Sequence, residues 1–160
     1  MAEAVQVGGV QTIKVDTGSS NALETLGKTA NGIQIREQVF RENVPGDANG
    51  GDAGPPIDIQ YHGEIHIVTL EFTYWDDSIM AKVIPKLYGG TAGAVGTAGT
   101  LWAADSKTYR LLMDGSGFTR NYLRAIPTDY GINAGTRFSR ANITFECHAS
   151  SGTLWNTTDT

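Results

Sequence analysis

His62, Glu64 and His66 stand two residues apart and carry side chains able to hold a metal ion. On a β-strand these three positions share one side, so a His-x-Glu-x-His site is geometrically possible. Gly63 interrupts the run and a fourth ligand is missing, so structural or exposed histidines are the expected reading. Asp47, Asn49 and Asp52 have the composition of a calcium loop. They lack the regular alternation and terminal glutamate of an EF-hand. Asp76 and Asp77, with Glu71 upstream, could act as acid–base carboxylates. Consecutive aspartates at a helix start are better explained by capping and by the helix dipole.

The nucleophiles lead no further. No serine lies in a Gly-x-Ser-x-Gly elbow. The single cysteine, Cys147, alternates with Phe145 and Ile143 as a small core residue does. One cysteine allows neither an intramolecular disulfide nor a multi-thiolate zinc site. The small-residue run 91–100 lacks the Gly-Lys-Ser/Thr of a phosphate loop. No enzymatic activity, cofactor or resident metal is expected.

The elements that would position these residues are mostly strands. Thr12 to Val15 is a short β-like run, and Asn21 to Gly27 reads as a helical turn or two, capped by Ser20. From Ile33 to Phe40 apolar and polar residues alternate, which marks a strand with one wet face. Glu64 to Tyr74 is the longest strand candidate, with His66, Val68, Leu70, Phe72 and Tyr74 on one face. Between them the polar stretch from Glu42 to Pro56, rich in glycine, reads as a long hairpin arm. His62-Gly63 makes a turn or bulge.

After Trp75 the period switches. Ile79, Met80, Val83, Ile84 and Leu87 recur at helical spacing over about 76–87, with Pro85 ending or kinking the last turn. Tyr109 to Met113, Asn121 to Ile126 and Arg137 to Cys147 give three further strands, the last with a bulge expected near Arg140-Ala141. The expected fold is therefore mainly β: a β-sandwich or barrel-like domain, one flanking helix, and the arm at 41–56. It forms a single domain over 1–160 with extended tails at 1–11 and 149–160.

Composition narrows the partners. A formal net charge of -5, from 12 Lys and Arg against 17 Asp and Glu, argues against a surface that grips nucleic acid. It suits a wall that phosphate passes without sticking. The start, Met1 to Val7, has no basic region, and no apolar run approaches the roughly 20 residues of a membrane span. Trp75, Trp102 and Trp155 lie at or near element ends, where aromatic residues anchor subunit contacts.

The order of strand, glycine-rich hairpin arm, long strand, capped helix and further strands resembles bacteriophage tail tube proteins. The resemblance runs through Gly54 to Asp76, and again through Asn121 to Pro127 and Gly135 to Arg140. It implies a β-sandwich subunit that forms stacked rings, usually of six, around a negatively charged channel for DNA. It implies a location in the virion tail after synthesis in the host cytoplasm, with other virion proteins as neighbours and no membrane partner. Pro45, Gly46, Asp47, Asn49, Asp52 and Pro55 on the arm would then contact adjacent subunits, with Trp75, Trp102 and Trp155 as anchors. The loop 91–100 has no counterpart in that family. Two other readings fit a β-sandwich of this size: a head decoration or neck protein, and a small ligand-binding domain with Trp102 or Trp155 as a stacking platform.

Overall fold

The computed structural model describes residues 11–16, 23–46, 54–84, 109–115, 118–135, 139–150 and 152–157. The chain is mainly β, as its alternation requires. Strands β1 (Gln11–Asp16), β2 (Glu24–Gly46) and β3 (Gly54–Trp75) are followed by helix α1 (Asp77–Val83). Strands β4 (Tyr109–Gly115), β5 (Phe118–Ala134), β6 (Ser139–Cys147) and β7 (Trp155–Asn156) complete it. All pairings are antiparallel and belong to one sheet ordered β4-β1-β2-β3-β6-β5-β7. Because β4 also pairs with β5, six of the strands close on themselves in a barrel-like ring.

One side of each strand fills the interior of that ring. Val68, Leu70 and Phe72 of β3 face Phe145, Ile143 and Ala141 of β6 in register, and all six are fully buried. Ile13 and Val15 of β1, Leu111 and Met113 of β4, and Tyr122 of β5 join the same cluster. Phe72 and Tyr122 are among its largest side chains, so each contributes more apolar burial than its smaller neighbours.

Helix α1 packs Ile79, Met80 and Val83 on this core. Asp76 caps it as expected, accepting from the Ser78 and Ile79 amides at 2.9 and 3.2 Å. The helix ends at Val83 rather than reaching Leu87. Ile84 still donates its N–H to Met80 O, but its φ of -127° and ψ of 62° have left the helix, as the residue before a proline tends to do.

Four expectations are corrected. Glu24 to Gly27 is not a helical turn but the start of β2. Gly27 pairs with Trp75, and a Cβ there would press on the Tyr74 carbonyl oxygen and stand 2.9 Å from Phe72 Cδ1. That glycine serves close packing, not helix termination. The bulge expected at Arg140-Ala141 is absent: β6 pairs with β5 without a shift from Ser139 to Thr144. The irregularity lies on β5, between Pro127 and Asp129. Strand β5 also runs through Pro127 instead of stopping at Ile126. The C-terminal stretch is not simply extended, because Ser150 bridges to Thr153 and β7 pairs with β5.

Candidate functional site

The arm is built by the two longest strands outrunning the rest of the sheet. β6 covers β3 only over His66 to Phe72, and β1 covers β2 only over Gln11 to Val15, opposite Glu24 to Thr29. Beyond those limits β2 and β3 continue as a two-stranded ribbon, paired from Gln38↔Ile65 out to Gly46↔Gly54. Among the described residues no strand covers either outer edge of this ribbon. Such edges present rows of unpaired N–H and C=O groups.

The ribbon turns in phase at its root. His62 is an extra residue between the pairs Phe40↔Gly63 and Arg41↔Tyr61, and Gly63 has a φ of 122°, which only glycine adopts readily. Register then places Val39, Tyr61 and Ile59 on the same side as His66, Val68 and Leu70. The core-facing side of the sheet thus runs outward along the arm. There its apolar residues are wet: Val39 is 46% exposed, Ile59 50% and Tyr61 61%, with Phe40 at 43% on the opposite side. A row of exposed apolar and aromatic side chains on unpaired strands is a surface fitted for protein contact.

Residues 47–53 lie outside the described ones, so Asp47, Asn49 and Asp52 do too, as does Trp102. Pro45 and Gly46 end β2, and Pro55 opens β3. Trp75 is half-buried against the chain's own core. Trp155 is half-buried as well, with the Arg120 guanidinium 4.1 Å from its ring centroid. Both tryptophans therefore already serve the chain's own packing.

The candidate metal residues are dispersed by the bulge. His62 Nε2 lies 3.3 Å from Glu42 Oε2, on the Phe40 side. Glu64 sits on the other side, where a hydrogen bond with Glu37, then burial and the Glu37 charge, raise its carboxyl above the usual range. His66 is buried and its Nδ1 meets the Tyr122 hydroxyl at 2.8 Å. Burial lowers its pKa, the Glu37 charge opposes that, and Arg120 adds to it. Among the described residues no group of three potential ligands comes together.

The candidate acid–base carboxylates are separated in the same way. Asp76 is occupied with the helix cap, and Glu71 Oε1 accepts from Arg140 Nη1 at 3.1 Å across β3 and β6. Cys147 is fully buried, and burial pushes its thiol far above the usual range, so no thiolate is presented.

Sequence reasoning missed Val39, Phe40, Ile59 and Tyr61 as a surface. The signal was present in the alternation Ile57-Asp-Ile-Gln-Tyr61, but alternation says that one face is apolar and not whether anything covers it. It missed the Arg120–Trp155 and His66–Tyr122 contacts because they join residues far apart in the chain.

No protein-family model matches the chain, and no curated protein matches it. Among solved structures it is similar to a chain of the phage p2 baseplate in its activated conformation with Sr, at 14% identity and a TM-score of 0.41. That match covers 86% of this chain and 44% of the other. A chain of the same baseplate in its activated conformation with Ca gives 13% identity and a TM-score of 0.40, covering 84% and 43%. The chain spans less than half the length of either. Similarity at this level assigns neither a family nor a role. Among the described residues no helix is long and apolar enough to cross a membrane.

Proposed function

We propose that this chain is a non-enzymatic phage virion protein, a tail tube subunit that assembles through its arm into stacked, hexameric rings around a channel for DNA. The observation behind this reading is the arm itself. Two strands of 23 and 22 residues extend past their partners and expose apolar side chains on both faces. A two-stranded ribbon is marginally stable in water by itself, so it gains most by pairing or packing with something else. In a homo-oligomer, closed symmetry satisfies such edges without open-ended growth in the ring plane. The net charge of -5 fits a lumen that DNA traverses without adhering.

Contacts between subunits fall on this reading to the arm, including its ends at Pro45, Gly46 and Pro55, with other virion proteins meeting the tube ends. Deleting residues 45–54 tests it. The expected product is a folded, soluble subunit, with an unchanged thermal midpoint, that no longer polymerises. Tubes of normal length from the deletion variant would remove the arm's role.

A further inference from the structure

Strand β7 is only two residues long and pairs with β5 over those two residues. Its backbone pairs Asn156 with Asn121 and Trp155 with Tyr122. The Asn121 Nδ2 donates to Asn156 Oδ1 at 3.2 Å, and the Arg120 guanidinium covers the Trp155 ring. Leu154 completes the packing on the core.

Arg120 has a second task. Its Nη1 donates to the Tyr122 hydroxyl at 3.3 Å, and that same oxygen lies 2.8 Å from His66 Nδ1. With His66 neutral, the hydroxyl accepts from Arg120 and donates to Nδ1. With His66 protonated, Nδ1 becomes a donor. One phenol oxygen then faces two cationic donors, and its own proton loses its acceptor.

We propose that protonation of His66 releases the C-terminal strap, residues 152–157, by displacing Arg120 from Tyr122 and Trp155. His66 and Tyr122 are held in the buried interior by their strands, whereas Arg120 is half-exposed and can turn to water. It is therefore the member that moves, and the cover on Trp155 moves with it.

The surrounding charges set the balance. Glu37 of β2 lies directly across from His66 and favours the imidazolium, and Glu64 of β3 stands on the same side. Arg120 of β5 opposes it. Cys147 of β6, paired with His66, stays an uncharged thiol, with Glu146 beside it in sequence. Burial tips the result toward neutral His66. With its pKa lowered in the docked state, His66 leaves the strap held at higher pH and loosens it as pH falls. Linkage is reciprocal, so undocking the strap raises the His66 pKa.

The test is a nuclear magnetic resonance titration of the full chain from about pH 8 to about pH 5, following the His66 ring and the Trp155 indole N–H. The Trp155 signal is expected to move with the His66 midpoint. Trp155→Ala is expected to raise that midpoint. His148→Gln serves as control, because His148 is the other histidine near the strap and bonds Glu146 at 2.8 Å. It is expected to leave the coupling intact. A Trp155 signal that stays still through the His66 midpoint overturns the proposal, and so does a response that vanishes in His148→Gln. The wild-type titration decides the matter even if a variant fails to fold.

Discussion

At the scale of single residues, Asp76 places three hydrogen bonds on one carboxylate oxygen, from the Ser78 hydroxyl and from the Ser78 and Ile79 amides. The Ser78 hydroxyl first, and then the Ile79 amide, hold its carboxyl below the usual range. The group therefore contributes stability above its ordinary pKa of about 3.9, and that contribution is lost as pH falls through the lower folded value. Asp76→Ala is expected to lower the thermal midpoint at neutral pH, and Asp76→Asn to lower it less. The gap between wild type and Asp76→Ala is expected to narrow in acid, and equal melting at neutral pH would contradict the cap. This residue was legible in the sequence because a cap and its helix are neighbours in the chain. Gly27 was not. Its reason for being glycine is the Tyr74 carbonyl oxygen, which only the β2–β3 pairing brings close.

At the scale of elements, alternation located the strand cores but not their ends. In β3, Val68, Leu70 and Phe72 are buried on one face as the alternation predicts, whereas Tyr74, expected on that face, lies beyond a register shift and is exposed. The same strand continues outward to Gly54, and over Asp58 to Tyr61 both faces are exposed, which alternation does not reveal. β5 passed through Pro127 for a related reason. His148 donates to Arg124 O, so before the bulge Arg124 and Ile126 turn their backbone groups to β6, and Pro127 lacks its N–H on the other edge. Among the described residues β4 pairs no further than Ala125, so no described strand needs that N–H. The arm's orientation depends on the bulge at its root. Gly63→Ala forces a side chain into a φ of 122° and is expected to cost about 1–3 kcal/mol in urea unfolding, with the arm amides exchanging faster. Unchanged stability and exchange would show that the bulge does not set the arm.

At the scale of the whole molecule, the closed ring of six strands leaves few free edges, and the longest of those described belong to the arm. The sequence announced an arm through its glycines and prolines, while the closure of β4 onto β5 rests on contacts no local pattern encodes. The proposed self-assembly rests on the exposed apolar side chains of the arm, Val39, Phe40, Ile59 and Tyr61, on strands that are paired but otherwise uncovered among the described residues. The most direct measurement is negative-stain electron microscopy of the purified full chain over a concentration series. The account predicts stacked rings or tubes with an open channel, growing with concentration. Uniform monomers or trimers at every concentration would contradict it.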